Sequence, residues 1–303
     1  MQVKILGTAA GGAFPQWNCS CANCSRVRAG GFAGRPRTQA QLAWSTAPRE
    51  WTLLNASPDL RYQIEATPEL WPRDGARDSP IRDVIVPSAE VDQILGLLLL
   101  REFHSFRVHA TRSVHRILTE DNSLFGVLAR FPGQVGWNDI PLDQPFFAGG
   151  ARLEVLRMAG SFPGFVSAAR LAESEPEEAV IGLLISPQSG GRTLAFLPGV
   201  ADVPDPLLER LQGCDIILFD GTFWSDTEPS HIPGVTRTAR QMGHLPVSGA
   251  GGSLERLAGL QRARRIYIHI NNTNPILDEE SREYRQVRDL GWEVAADGME
   301  MTL

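Results

Sequence analysis

The chain has 303 residues, 43% of them hydrophobic, with 29 basic against 35 acidic side chains. That length is ample for a buried core, and one domain spanning residues 1–303 is expected. The mild net charge of −6, with no long basic block, argues against a nucleic-acid partner, because such binders present a clustered basic face. Residues 3–6 read as a short buried strand leading into a turn rich in glycine and cysteine. Residues 39–45 and 51–55 read as paired strands. Ser57, Pro58 and Asp59 form a helix-start signal, with Ser57 as candidate N-cap, and the helix continues through Leu60, Tyr62 and Ile64. Residues 74–79 are a polar loop, 81–86 a largely β-branched strand, and 90–102 a helix with an apolar face. In the second half, residues 153–158, 179–185 and 192–197 read as strands, 206–212 as a helix and 215–219 as a buried strand. A helix over 252–260, a strand over 265–270 and a charged amphipathic helix over 278–290 follow, with strands at 292–295 and 299–303. The acidic segment 173–178 is expected as a solvated loop tip. Locally paired strands followed by helices, twice over, predict an α/β fold of two sheets back to back with helices outside.

Cys19, Cys21 and Cys24 put three of the four cysteines into six residues. This C-x-C-x2-C run is too crowded for an internal disulfide, but it can place three thiolates around one Zn²⁺ with sulfur at ~2.3 Å. Cys214 lies in an apolar run and reads as a buried small hydrophobe. The fourth ligand therefore comes from far along the chain. The first residues show no charged segment followed by an apolar stretch, so no signal peptide is expected. The longest apolar run, 94–100, is far short of the ~20 residues that span a bilayer. Clustered cysteines without a secretory signal point to a reducing, cytoplasmic compartment.

Four strand ends carry polar groups of the kind α/β enzymes use. Glu90 and Asp92 follow the strand at 81–86, either as a carboxylate pair on a tight turn or as first-turn acids favoured by the helix dipole. Asp220 emerges from the apolar run DIILF, where an acid has few purely structural uses. His244 stands beside a glycine, and a structural and a catalytic role are both open for it. His269 sits between two isoleucines and precedes the amide-rich run Asn271-Asn272-Thr273-Asn274, which favours a ligand role over a core one. No G-x-S-x-G elbow, phosphate-binding P-loop or G-x-G-x-x-G turn competes with these.

These segments together resemble a known family. VKILGTAAGGAFPQWNCSCANC at the start, RTQ at 37–39, NASPDLR at 55–61, GLLLLRE at 96–102, DGTFW at 220–224, MGH at 242–244 and HINNTNPILDE at 269–279 occur in order. From end to end the chain resembles the coenzyme PQQ synthesis protein B family of the metallo-β-lactamase superfamily. The resemblance implies a four-layer αββα sandwich and a role in making pyrroloquinoline quinone (PQQ) from a Glu/Tyr-containing precursor. It implies metal-dependent hydroxylation of the tyrosine ring of that precursor. The alternative is a carrier that takes PQQ or its precursor towards the periplasm without catalysis.

The superfamily's H-x-H-x-D-H motif is represented here by Ser88, Glu90, Asp92 and Gln93, so only the acid stands in place. The later bridging acid falls at Pro198-Gly199, and a two-zinc hydrolase is not expected. His269 matches the superfamily's last metal-binding histidine, and His244 matches the catalytic histidine of the tRNA-processing and phosphodiesterase branches. The cysteines are taken as a structural Zn²⁺ site closed by His269, with Asn272 or water as the alternatives. Glu90, Asp92, Asp220 and His244 are taken as the catalytic set around Fe²⁺. Arg37 and Arg61 are candidates to pair with substrate carboxylates, against an exposed or helix-capping role for each. Expected partners are a small-molecule or dipeptide precursor, PQQ, and a second copy of the chain in a homodimer, with no nucleic acid and no membrane span.

Overall fold

A computed structural model describes residues 1–232 and 234–303, which form two compact units. The first comprises Met1–Gly7, Gln41–Gly191 and Gly298–Leu303, and the second Thr8–Ala40 and Arg192–Asp297. Strands of the first unit are β1 (Gln2–Gly7), β2 (Gln41–Ala47), β3 (Glu50–Leu54), β4 (Ile81–Val86), β5 (Phe106–Ala110), β6 (Val135–Asp139), β7 (Phe146–Ala148), β8 (Ala151–Arg157) and β9 (Ile181–Pro187). The second unit holds β10 (Leu194–Leu197), β11 (Ile216–Asp220), β12 (Arg264–Ile268) and β13 (Trp292–Val294), and β14 (Glu300–Thr302) returns to the first. Among the described residues no helix is long and apolar enough to cross a membrane.

In the first unit a sheet runs in the order β14-β1-β2-β3-β4-β5-β6, antiparallel as far as β3 and parallel beyond it. Its alternation separates two faces. Leu53, Val84 and Val108 point into the core with Leu60, Leu97 and Ile117, each such burial contributing about 1.5–3 kcal/mol. The register Thr52–Asp83–Arg107–Gly136 places a polar row on the other face. There Asp83 is buried, accepts two hydrogen bonds from Arg107 and lies 2.7 Å from Nε2 of His109. Burial pushes its carboxyl up, but these cationic and donor neighbours outweigh it and hold it at about 2. β7, β8 and β9 are antiparallel in that order.

The second unit has four parallel strands in the order β13-β12-β11-β10. β10 and β11 are buried at every residue, as continuous apolar runs predict for parallel strands.

The strand expected over 81–86 has those bounds. Other expectations needed correction. The helix after Ser57 begins at Leu60 with Asp59 as its N-cap. Residues 90–102 form a short α-helix, Val91–Ile94, followed by a 3-10 helix, Leu95–Arg101. A Cβ on Gly96 would lie 2.3 Å from the Ser57 carbonyl oxygen, so the two backbones pack in direct contact at the start of this 3-10 helix. The helix expected over 252–260 is limited to Ser253–Arg256. Segment 173–178 is more than a solvated tip. Glu173 pairs with Arg170 and Arg116, and Glu178 caps the Ser113 amide at 2.7 Å.

Candidate functional site

The β10–β13 strands are parallel, so their carboxyl ends fall on one side, where α/β proteins place their sites. Asp220 is the last residue of β11 and pairs in register with Ile268, the last of β12. The following residue, His269, is thereby carried to the same edge as Asp220. His269 has φ of 58°, a left-handed conformation that costs a non-glycine residue free energy. Thr222 holds it there, its Oγ1 lying 2.8 Å from His269 Nδ1 and 2.8 Å from its carbonyl oxygen. His244 arrives from a loop turned by Gly243 at φ of 87°. Its Nδ1 lies 2.7 Å from Asp220 Oδ2, and its ring stacks on His269 with centroids 5.6 Å apart. One ligand atom from each of Asp220, His244 and His269 falls within 4.8 Å of the others.

Asp220 has no exposed surface. Its Oδ1 accepts from the Thr222 amide and hydroxyl, and its Oδ2 from the Val200 amide as well as facing His244. Burial alone would raise this carboxyl, but the facing imidazoles and the Thr222 hydroxyl outweigh it and hold it below the usual carboxylate range.

The cysteines form a second centre in the same unit. Backbone pairing of Thr8 and Ala10 with Ile270 draws the chain after β1 alongside the chain after β12. This brings residues 19–24 to the amide-rich run. The Sγ atoms of Cys19, Cys21 and Cys24 converge within 4.8 Å. Asn272 Nδ2 lies 3.1, 3.6 and 3.4 Å from them in that order. Burial pushes the Cys24 thiol up to about 11. Cys19 is also penalised by burial, but hydrogen bonds from Cys21, Cys24 and Asn272 leave it below its usual value. Three sulfurs around one point are the donor set a Zn²⁺ takes, deprotonating the thiols as it binds. Cys214 is buried as expected, with its thiol raised to about 11.

The structure thus brings His269 to Asp220 and His244 and not to the cysteines, where it was expected to be the fourth zinc ligand. The reason is the strand register, which pairs residue 220 with residue 268, so that the next residue, 269, reaches Asp220 and residue 272 reaches the sulfurs. Arg37 is buried, and its Nη1 donates to Thr8 Oγ1 at 3.1 Å and to the Ala295 carbonyl, both inside the second unit. Arg61 is exposed on the helix Leu60–Glu65. Glu90 is the N-cap of Val91–Ile94 and Asp92 stands in its first turn, the placement the helix dipole favours. These three residues belong to the first unit. Glu228 was not anticipated: it is buried, accepts from Thr273 Oγ1 and the Trp224 amide, and burial raises it to about 7. Only its position shortly after DGTFW hinted at it.

A β-lactamase superfamily domain model matches residues 50–270. Coenzyme PQQ synthesis protein B of Methylobacterium sp. (strain 4-46) is 43% identical over 304 residues, covering all of both chains. That of Azotobacter vinelandii (strain DJ / ATCC BAA-1303) is 42% identical over 306 residues, again over both full lengths. The 1.98-angstrom crystal structure of Zn²⁺-bound PqqB from Methylobacterium extorquens superposes with a TM-score of 0.92 at 40% identity, covering 100% of each chain. A diphosphatase of the PhnP family, 18% identical with a TM-score of 0.66, shares the fold. The chain belongs to the coenzyme PQQ synthesis protein B family and has its metallo-β-lactamase fold.

Proposed function

We propose that the chain acts in PQQ synthesis as an iron-dependent oxygenase that hydroxylates the tyrosine ring of a Glu-Tyr-derived precursor in the cytoplasm. The observation that carries this reading is the set Asp220, His244 and His269 within 4.8 Å. Two imidazoles and one carboxylate are the ligand pattern of non-haem iron(II) oxygenases. The residues fit such an ion in kind. The short His244–Asp220 contact holds two donor atoms together through a proton, which a metal would displace on binding.

Asp220, His244 and His269 would hold the metal, and Fe²⁺ there would supply activation of O₂ for aromatic hydroxylation. One oxygen atom enters the ring and the other leaves as water, with two electrons from an external reductant. The chain's own contribution is positional. Thr222 fixes the His269 ring, and the Val200 and Thr222 amides fix the Asp220 carboxylate. The cysteine centre serves as a zinc staple that ties the N-terminal loop to residues 271–274. The reading of this metal centre does not rest on Glu90, Asp92 or Arg61.

Anaerobic chain loaded with Fe²⁺ and the precursor, then exposed to O₂ and reductant, should yield the precursor heavier by one oxygen. Absence of that product with iron bound overturns the oxygenase. A second reading, the carrier, is favoured by the saturation of Asp220, whose two oxygens already face four donors. Tight PQQ binding by a chain holding one zinc and no other metal supports it.

A further inference from the structure

Four strands, β6, β7, β13 and β14, are outermost in their sheets, and they differ in how the open edge is protected. β7, β13 and β14 have three residues each, and β13 and β14 carry the charges of Glu293 and Glu300. β6 has five, Val135-Gly136-Trp137-Asn138-Asp139, and every one is at least partly exposed. Its first four residues are uncharged, it holds no proline, and its pairing with β5 runs without a bulge. Charges, prolines, bulges and shortness are the devices that stop an edge from pairing with another chain, and β6 is the strand that lacks them. Its one charge, Asp139, is engaged, with Oδ1 2.7 Å from Nδ1 of His115, whose ring stacks on Trp137.

The ladder to β5 fixes which backbone groups face outward. Phe106 donates to the Gln134 carbonyl and Ile140 to the Ala110 carbonyl, so the even-numbered residues of 134–140 bond to β5. In a parallel pair only alternate residues bond to a given side. Val135, Trp137 and Asp139 therefore turn their N–H and C=O groups to the open edge. Antiparallel pairing with a second β6, about a two-fold axis at Trp137, sets Trp137 against Trp137 and Val135 against Asp139 of the second copy. These are all outward-facing residues, so donors meet acceptors at each pair, and no charged side chain opposes its like.

A five-residue edge is smaller than the roughly 800 Å² per partner of a standard interface. Apolar surface adjoins it. Phe103 and Phe131, 63% and 39% exposed with ring centroids 4.7 Å apart, lie just before β5 and β6, at the amino end of the same edge. We propose that a second copy of the chain docks on β6, antiparallel about Trp137, with Phe103 and Phe131 extending the contact. None of these residues belongs to the Asp220 centre or the cysteine centre, so assembly and metal loading are separate events.

Sedimentation velocity of the full-length chain over a range of concentrations reads the assembly, and amide hydrogen exchange reads the edge. The wild-type chain should dimerise, and the amides of Val135, Trp137 and Asp139 should gain protection as concentration rises. Those of Gly136 and Asn138, already bonded to β5, should not change. Asp139→Pro removes an outward N–H and no bond to β5. It should weaken the dimer by about 30-fold, through the two hydrogen bonds lost across the axis. Asp139→Asn keeps the N–H while losing the His115 pair, and should remain dimeric with a urea midpoint close to that of Asp139→Pro. A wild-type chain that stays monomeric at every concentration, or a dimer undiminished by Asp139→Pro, overturns the proposal. So does a dimer whose Val135 and Trp137 amides stay unprotected, since its contact lies on another face. The exchange pattern needs no variant, and it decides the matter by itself if Asp139→Pro does not fold.

Discussion

His244 Nδ1 lies 2.7 Å from Asp220 Oδ2, and the carboxylate it meets is wholly buried. Each Asp220 oxygen also accepts from the backbone, Oδ2 from Val200 and Oδ1 from Thr222. An amide in this position must therefore point its NH₂ at a donor whichever way it is turned. Asp220→Asn should lower stability by about 1–3 kcal/mol, the cost of leaving a buried hydrogen-bonding group without its partner. It should also remove binding of the second metal while leaving the zinc in place. Urea midpoints and elemental analysis check both, and a variant as stable as wild type would refute the account of the pair.

The left-handed backbone of His269 separates loss of the ring from loss of strain. His269→Ala and His269→Gly both delete the imidazole, but glycine alone adopts φ of 58° without penalty. The glycine variant should be the more stable of the two by about 1 kcal/mol in chemical denaturation, with both equally deficient in the second metal. If alanine proves the more stable, the strain argument fails.

Glu228 gives a pH signature. Burial raises its folded-state value to about 7 from 4.5, so the native chain keeps a proton that the unfolded chain releases. Its contribution is present below pH 4.5 and is lost as pH rises through the window to 7, on the order of 2–4 kcal/mol in all. Glu228→Gln should flatten the fall in stability between pH 5 and 8. Parallel curves for variant and wild type would show that Glu228 is ionised throughout.

Asp83 works in the opposite sense. Its folded value of about 2 lies below 3.8, so its stabilisation is present above pH 4 and is lost as pH falls towards 2. Asp83→Asn should weaken the first unit by about 2 kcal/mol at pH 7 and reduce the acid sensitivity. The Arg107 and His109 hydrogen bonds hold the carboxylate, and solvent screening of the largely exposed Arg107 keeps the effect modest. Denaturation curves at pH 3 and 7 for both chains measure the difference.

Thiol reactivity should sort the cysteines. The zinc-loaded chain should react slowly with a disulfide reagent, the zinc-stripped chain should expose Cys19, Cys21 and Cys24, and Cys214 should react only on unfolding. Fast labelling of Cys214 in the folded chain would contradict its burial.

Much of the fold could be read from local pattern because its strands are hydrophobic runs between strong turn signals. IRDVIV, the DIILF run and RIYIHI belong to this kind. The stretch holding β5 and β6 escaped that reading for a physical reason. FRVHA spends two of five positions on the polar row beside Asp83, and VGWND is half-exposed or exposed at every residue. The three cysteines and Asp220 could be picked out from residue type and neighbours. The partners of His269 and Asn272 could not, because they follow from the register of β11 on β12, a tertiary fact. Sequence spacing offered both residues to the sulfurs, and three positions along the chain separate the one that reaches them from the one that does not.

That short separation has a thermodynamic consequence. One segment, 269–274, delivers a ring to one centre and an amide to the other, and Thr222 and Asn23 hold it at its two ends. If filling the cysteine centre stiffens this segment, affinity at the Asp220 centre rises, and reciprocity requires the second ion to tighten the first by the same factor. Zinc at the staple would then be an effector as well as a brace, and titrating either metal in the presence of the other gives the size of the factor.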